Sequence, residues 1–581
     1  MQRLAVCFGL FACKYIWRRN VTSFKSLHCT PPISKIIREY FLFHGRVQVE
    51  NIIISLDAAF YGGDSDDGGE MVPGDMTENL KSDAAQEEKS RKSRAAARQA
   101  IVLIHGMGEQ IPMDTIKSFV STLWVTGVAS VVEKATEIWS KPDPRTGSLE
   151  LRRITTRKSK TGGEFPNGVR NDFYELYWAD LTAGSTTNQL VGWVKYLLFR
   201  PLSRVPPPVR SAWFLLWFLS LLALAIGSLS FVPATWWLAI APTWLPQTTA
   251  IAAAAALGAV LQRMGTATFG RVVKYTRSEP DNIAARAAVR ERGLSLLRHL
   301  HTGDDYDRII VVGHSLGSIL AYDLVAYFWA EQEVARSIAE GTPAFQSLCR
   351  LEESARRLKS AADVTAIKTA RTGFRLRQAE LRRAMSATER SGGETGWHIS
   401  DLVTFGSPLT HSEFLLAASK EDLKGRQTAR ELPTAPPLAE ALEKWRIPHA
   451  RSVGLLPTDS SDDCLMAFPE RKKPGFWTLH HGAPFSVVRW TNIHDPSSLI
   501  YRGDLISGPL SSAFGSAIED IDLRQIDRPA TTFSHTLYWD SNQSEVRITA
   551  FRRAINLLDE DLDWAAEKAK LAALGNLPTG E

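Results

Sequence analysis

Residues 308–318 read RIIVVGHSLGS, and the prediction of the fold starts from this stretch. Its first five residues are a β-branched run that predicts a buried strand, and residues 316–329 predict a helix. Gly-x-Ser-x-Gly at a turn between strand and helix is the context in which this pattern indicates a nucleophilic serine, here Ser315. The flanking glycines leave room for a strained turn, and the helix N-terminus favours developing negative charge. The alternative is an ordinary strand-to-helix turn with a chance serine.

Similar apolar runs recur on both sides of this stretch and alternate with helical periodicity. We predict strands at 100–104, 173–178, 308–312, 402–405, 486–492 and 518–523, and helices at 116–139, 281–300 and 316–329. Strands alternating with helices favour an α/β fold with a mostly parallel, doubly wound sheet.

The predicted organisation is a core of four separate segments, divided by insertions. Along the chain we expect an N-terminal segment of doubtful status (1–61), a disordered linker (62–98), a first core segment (99–182), a membrane insertion (183–280), a second core segment with the nucleophile turn (281–330), a charged helical insertion (331–397), a third core segment (398–412), a lid-like insertion (413–484), a fourth core segment with the acid and the histidine (485–555) and a C-terminal tail (556–581). A true start at Met71 or Met76 is an alternative for the N-terminal segment.

The membrane insertion is predicted from one long uncharged interval. Residues 211–262 contain no Asp, Glu, Lys, Arg or His. A helix over 212–232 would span about 31 Å, which is the thickness of a hydrocarbon core. With a second run at 244–262, and with Lys and Arg on both flanks, the pattern predicts a two-helix transmembrane hairpin. The catalytic domain would then lie on the cytoplasmic side of the membrane. The alternative is a buried hydrophobic hairpin or a cap.

The composition argues against several other classes of protein. The 68 Lys and Arg against 63 Asp and Glu are too balanced for a nucleic-acid-binding protein, and we expect no nucleic-acid partner. The five cysteines form no Cys-x-x-Cys pair, so neither a disulfide framework nor a zinc site is indicated. We expect no metal and no organic cofactor. The charged insertion at 331–397 is expected to be solvated, and it is a candidate surface for a protein partner.

A serine nucleophile needs a base and an orienting acid, which follow it along the chain in the order Asp, His. Asp495 comes at the end of the predicted strand 486–492 and is the predicted acid. Asp504 is the second choice, and a plain Asp-Pro turn is the alternative at position 495. His535 is the only histidine after Asp495 and is the predicted base.

An oxyanion hole is the remaining requirement for acyl transfer. We expect one donor from the backbone N–H of Leu316, which follows the nucleophile. The second is expected from the His105-Gly106-Met107-Gly108 loop after the first core strand, with Met107 as the donor. His105 is expected to brace this loop.

The motifs HGMGEQ, GHSLGS, FGSPLTH, WTNIHDP and SHTLYW together resemble the α/β-hydrolase superfamily, particularly its lipase-like and serine-esterase branches. The resemblance covers the core between Arg98 and Arg553. It implies Ser315 as nucleophile, Asp495 as acid and His535 as base in a serine hydrolase that cleaves carboxylic esters.

The motifs do not specify the substrate. A lipid ester is favoured, because the predicted hairpin would hold the pocket beside a bilayer. An acyltransferase, a thioesterase or a peptide hydrolase on the same triad is an alternative. A catalytically idle membrane scaffold is another.

Overall fold

One sheet of eight strands forms the centre of the described chain. The computed structural model describes residues 96–560, except 183–198, 206–209, most of 211–279 and shorter gaps such as 107–110 and 497–501. The strands are β1 (Ala97–Ile104), β2 (Trp139–Pro142), β3 (Arg152–Lys158), β4 (Val169–Leu176), β5 (Arg308–His314), β6 (Ser337–Ala339), β7 (Ile399–Phe405), β8 (Glu440–Ala441), β9 (Cys464–Leu465), β10 (Ala467–Pro469), β11 (Phe476–Leu479), β12 (Arg489–His494) and β13 (Glu519–Asp522).

The order of strands across this sheet is β13-β12-β7-β5-β1-β4-β3-β2. All neighbours from β13 to β4 run parallel, whereas β3 and β2 are antiparallel additions at one edge. Two small antiparallel sheets, β10-β11-β6 and β8-β9, lie outside it. The protein is thus a mixed α/β fold with a mostly parallel sheet, and β5 lies in its middle.

Helices connect the parallel strands. They are α1 (Asp114–Val120), α2 (Ile283–His301), α3 (Leu316–Glu331), α4 (Pro343–Ser360), α5 (Val364–Ser386), α6 (Ser412–Leu415), α7 (Lys420–Thr428), α8 (Ile447–Ser452), α9 (Ser511–Phe514), α10 (Leu523–Ile526) and α11 (Glu545–Ala554). A π-helical turn, Ser121–Thr126, continues α1.

Alternate residues of the central strands point to opposite faces of the sheet, and both faces are covered. In β5, Ile309 and Val311 pack with α2, α3, α4 and α5, whereas Ile310 and Val312 pack with α1 and α11. Burial on both faces explains why the central strands are continuous apolar runs and do not alternate with polar residues.

The charged insertion at 331–397 differs from its prediction. Its helices α4 and α5 are not a solvated excursion, because each buries one face on the core. Leu348, Leu351 and Leu358 lie at helical spacing on α4 and are buried, as are Phe374 and Leu381 on α5. The many Arg residues hide this apolar stripe in the composition, since their side chains project from other positions of the same helices.

The lid-like insertion at 413–484 also packs on the body of the protein. The Tyr322 hydroxyl of α3 donates to the carbonyl of Pro433, and the indole N–H of Trp329 donates to the carbonyl of His480. Trp477 and Leu479 of β11 are buried in the same core.

The prediction of a transmembrane hairpin is contradicted. Among the residues that the structure describes, no helix is long and apolar enough to cross a membrane. The apolar helix α3 has 16 residues, fewer than the roughly 20 that a crossing needs, and the longer α2, α4 and α5 carry several Arg residues each. The multi-pass membrane location and the cytoplasmic orientation depended on that hairpin and are corrected with it. The physical reason is that an uncharged run indicates an apolar environment without specifying which one.

Several predicted segments lie outside the described residues. They are the N-terminal segment 1–61, the linker 62–98 up to residue 95, the predicted spans 212–232 and 244–262 almost entirely, and the tail after residue 560.

A buried ion cluster closes the amino ends of the central strands. Arg308 begins β5 and is 1% exposed, with its Nη1 2.8 Å from Asp559 Oδ1 and 3.1 Å from Glu164 Oε2. Burial by itself would raise the pKa of Glu164, but the guanidinium groups of Arg382, Arg308 and Arg383 outweigh it and hold this pKa at about 2. Because the folded pKa is depressed, the stability that Glu164 contributes is present at neutral pH. It is lost as the pH falls from about 4 towards 2.

Replacing Arg308 by Met should therefore strongly destabilise the fold. The change removes the guanidinium that is paired with the buried Asp559 carboxylate and one of the three that face Glu164, and we expect a loss of about 3–5 kcal/mol in the free energy of unfolding by urea at pH 7. Arg298→Met is the matched control, because Arg298 also has two carboxylate partners but is 40% exposed. It should cost at most about 1 kcal/mol. Equal losses in the two variants would show that the Arg308 cluster is not a stabilising feature of the fold.

Candidate active site

Ser315 lies on the sharp turn between β5 and α3. Its backbone has φ 53° and ψ −129°, which is a strained conformation for a residue with a side chain. Two contacts hold it there: the Ser315 N–H donates to the carbonyl of Phe405 at the end of β7 (3.0 Å), and the Ser318 hydroxyl donates to the Ser315 carbonyl (2.6 Å). The turn is thereby fixed from both the neighbouring strand and the following helix.

Two glycines are required by close approach at this turn. A Cβ on Gly317 would lie 2.3 Å from the carbonyl oxygen of Ile104, so α3 can begin directly against the end of β1 only without a side chain. Gly406, in the FGSP motif after β7, has φ +58°, and its Cβ would lie 2.8 Å from Tyr538 Cε2 and 3.0 Å from Asp504 Oδ2. The FGSP glycine therefore makes room for the residues around the histidine.

Ser315, His535 and Asp504 form a continuous hydrogen-bonded chain. His535 Nε2 lies 2.8 Å from Ser315 Oγ, and His535 Nδ1 lies 2.9 Å from Asp504 Oδ2. A carboxylate can only accept, so Nδ1 carries the hydrogen and Nε2 is free to accept from the serine. All three residues are at most 5% exposed. This is the geometry that a serine nucleophile, a histidine base and an orienting acid require.

Asp504 takes the position that the sequence assigned to Asp495. Asp495 does follow β12, but its carboxylate makes no hydrogen bond among the described residues, and it lies 3.5 Å from Arg547 Nη1 of α11. The chain leaves the strand end and returns, so that the Asp504 N–H donates to the Asp495 carbonyl at 2.7 Å. The two acids thus have paired backbones, and only Asp504 contacts His535. The rule that places the acid at the strand end cannot anticipate this return.

The Asp504 carboxylate is stabilised in its ionised form. Burial alone would raise its pKa, but hydrogen bonds from His535, from the Tyr538 hydroxyl and from the backbone N–H of Ile506 outweigh burial and hold the pKa below its usual value. Sequence reasoning did not identify Tyr538 as a member of this site. The only signal for it was the SHTLYW motif, which carries no mechanism by itself.

His314 connects the nucleophile turn to the histidine loop. Its Nε2–H donates to the backbone carbonyl of His535 at 2.8 Å, and its ring packs edge-on against Trp539 at 4.8 Å between centroids. Burial, followed by the neighbouring His535, lowers the pKa of His314 to about 3. His314 is therefore a neutral hydrogen-bond donor throughout the physiological pH range.

The described residues of the oxyanion region include Leu316 and His105. The N–H of Leu316 is at the first position of α3, where it has no acceptor within the helix and where the helix dipole is positive. Trp178 donates from its backbone N–H to His105 Nε2 (3.2 Å) and from its indole to the His105 carbonyl (3.1 Å), which braces the end of β1. Met107, the second predicted donor, lies outside the described residues.

Comparison with protein-family models, with curated proteins and with solved structures found no match for this chain. Within the described ranges, no group of three or more His, Cys, Asp or Glu side chains is placed to hold a metal ion. The assignment of a function therefore depends on the geometry of the site and on the sequence motifs.

The two carboxylates can be separated by matched variants. For the ester hydrolysis that the motifs lead us to expect, Asp504→Asn should lower kcat by about 10³–10⁴, because an amide no longer orients the imidazole in the tautomer that a serine nucleophile requires. Asp495→Asn should stay within about tenfold of the unchanged protein, because Asp495 does not contact His535 and the effect can reach the site only through packing. Thermal denaturation of both variants controls for folding. A greater loss in Asp495→Asn would restore Asp495 as the acid.

His314 gives a prediction on stability and pH. Its folded pKa of about 3 lies below the ordinary value, so the unfolded chain binds a proton at this position that the folded protein does not. Stability is therefore lost as the pH falls below about 6.5. In His314→Leu, the drop in unfolding free energy between pH 7 and pH 4 should be smaller by about 1–3 kcal/mol.

The exposed His299 of α2 provides the control for this measurement. His299→Leu makes the same substitution at an exposed position of the chain. If the drop in unfolding free energy between pH 7 and pH 4 were the same in His314→Leu as in the unchanged protein, His314 would not be held neutral by burial.

Proposed function

We propose that this protein is a serine hydrolase that cleaves carboxylic esters through an acyl-enzyme. The observation that carries the proposal is the hydrogen-bonded chain from Ser315 Oγ through His535 to Asp504, with distances of 2.8 and 2.9 Å. It is supported by the order Ser, Asp, His along the chain and by the position of Ser315 on a strained turn between strand and helix, which resembles the α/β-hydrolases.

In the first half of the reaction, His535 Nε2 takes the proton of Ser315 as the hydroxyl oxygen attacks the ester carbonyl. Asp504 holds the imidazole in the productive tautomer and stabilises the imidazolium. The Leu316 N–H donates to the oxyanion that forms on the carbonyl oxygen. When the tetrahedral intermediate collapses, the carbon–oxygen bond to the leaving alcohol breaks, and His535 returns the proton to that alcohol.

In the second half, His535 activates a water molecule, which attacks the acyl-Ser315 carbonyl. The bond between Ser315 Oγ and the acyl carbon breaks, and the carboxylic acid leaves while the serine regains its proton. His535 acts first as base and then as acid in each half. The side chains named here suffice for this sequence of proton transfers.

The strain at the site favours an enzyme over a scaffold on the same fold. A non-glycine residue at φ 53° costs about 1–3 kcal/mol, and this strain places one hydroxyl against one imidazole. A protein that served only as a scaffold gains nothing from this arrangement. The preference for lipid esters depended on the transmembrane hairpin and does not belong to the proposal.

Labelling with a fluorophosphonate probe tests the proposed nucleophile. The unchanged protein should be labelled, Ser315→Ala should not be, and His535→Ala should be labelled at least about 10³-fold more slowly because the serine loses its base. Hydrolysis of p-nitrophenyl esters should fall in parallel, and the double variant should be little worse than either single one because the residues act as a unit.

Ser360→Ala, at the exposed end of α4, is the matched control and should be labelled normally. Labelling that persists in Ser315→Ala would refute the assignment of the nucleophile. Release of the acyl group to an added alcohol, in preference to water, would make the protein an acyltransferase.

A further inference from the structure

The Asp504 carboxylate oxygen that faces the histidine has a second donor. Asp504 Oδ2 lies 2.9 Å from His535 Nδ1 and 2.8 Å from the Tyr538 hydroxyl, whereas Oδ1 accepts from the backbone N–H of Ile506 at 2.9 Å. Two side chains therefore share the negative charge of one oxygen. The mechanism proposed above uses only one of them.

The direction of the hydrogen bonds around Tyr538 is determined by chemistry. An ionised carboxylate only accepts, so the Tyr538 hydroxyl donates its single hydrogen to Asp504. The Ser507 hydroxyl lies 3.2 Å from the Tyr538 oxygen and must then be the donor in that contact. Ser507 in turn accepts from the backbone N–H of Asp495 at 3.4 Å. A chain of hydrogen bonds thus runs from the Asp495 N–H, just after β12, through Ser507 and Tyr538 to Asp504.

Packing leaves the Tyr538 hydroxyl little freedom. The ring is buried, with ring centroids 5.9 Å from Phe405 and 5.8 Å from His314. Gly406 provides the space for it, because a Cβ at that position would lie 2.8 Å from Tyr538 Cε2. Burial raises the pKa of Tyr538 well above its usual value, so the hydroxyl remains a donor at all physiological pH values.

We propose that Tyr538 is a positioning residue that fixes the Asp504 carboxylate on His535 and, by sharing Oδ2, limits how strongly Asp504 stabilises a proton on His535. This inference rests on the proposed serine hydrolase function. It assigns to Tyr538 two separable effects: orientation of the acid, which affects kcat, and control of the charge that His535 experiences, which affects the pH dependence.

The sign of the second effect follows from the hydrogen bonds. Without the Tyr538 hydroxyl, the full charge of Oδ2 acts on His535, so the protonated imidazolium is favoured. The base then becomes neutral, and hence active, only at a higher pH. A residue with a merely structural role would lower the rate equally at all pH values.

Tyr538→Phe is the test, because it keeps the ring and removes only the donor. We expect the acidic limb of kcat/KM for p-nitrophenyl butyrate to move to higher pH by about half a unit to one unit. The plateau of kcat should fall by about 10- to 150-fold, as for a lost hydrogen bond to a charged group. Tyr322→Phe is the matched control: Tyr322 is equally buried and donates to the Pro433 carbonyl at 2.8 Å, so its removal should leave the limb in place.

Ser507→Ala provides a second variant in case Tyr538→Phe folds poorly. It removes the donor to the Tyr538 oxygen and should shift the limb in the same direction by a smaller amount. An acidic limb that stays in place in both variants would overturn the role of Tyr538, whatever the change in kcat.

A readout without catalysis separates this inference from the proposed function. The proton on His535 Nδ1, observed by NMR, should change its resonance in Tyr538→Phe and not in Tyr322→Phe. A protein that hydrolyses no ester but shows this change would refute the hydrolase and keep the Tyr538 contact. An active protein with an unmoved resonance and an unmoved limb would refute only the role of Tyr538.

Discussion

The hydrogen bond from the Ser315 N–H to the Phe405 carbonyl joins the end of β5 to the end of β7, and the Gly406 N–H continues the line to the Ile493 carbonyl of β12. Three neighbouring parallel strands therefore end side by side, and the chain turns away from each at nearly the same level. Parallel strands collect their functional groups at this edge of a sheet. The turn of Ser315, the room beneath Gly406 and the position of the returning Asp504 all depend on this alignment of strand ends.

Buried charges at the two ends of the central strands are stabilised by different partners. At the amino ends, Arg308 is surrounded by carboxylates, and the cluster stabilises the fold while presenting no reactive group. At the carboxyl ends, the buried carboxylate of Asp504 is surrounded by hydrogen-bond donors and by aromatic rings. Because His314 and Tyr538 remain neutral through burial, Asp504 is, among the described residues, the only fixed charge in contact with His535. Its orientation therefore determines what the imidazole can do.

Much of the core could be predicted from local sequence. The run at 308–312 lies within β5 (Arg308–His314), and 402–405 lies within β7 (Ile399–Phe405), because strands buried on both faces are continuous apolar runs. The predictions failed where the surroundings of a segment were inferred from its amino-acid composition alone. In α4 and α5, Arg residues conceal a buried apolar stripe, and in the interval 211–262 the absence of charge suggested a lipid environment that the described helices do not support. A solvated helix can be distinguished from a buried one, and a lipid environment from another apolar one, only when the residues that pack against the segment are known.

For the candidate site, the sequence by itself pointed to Ser315 and His535, and the two side chains lie within hydrogen-bond distance of each other. The serine pattern is local to one turn, and only one histidine follows Asp495, so neither inference needed long-range information. Only the tertiary structure shows that Asp504, and not Asp495, contacts His535 and that Tyr538 lies beside Asp504. The two acids pair through their backbones, and both fit the order of residues along the chain. Which carboxylate contacts the imidazole depends on the direction of its side chain, which the returning chain and the packing against α11 set and the linear order of residues does not encode.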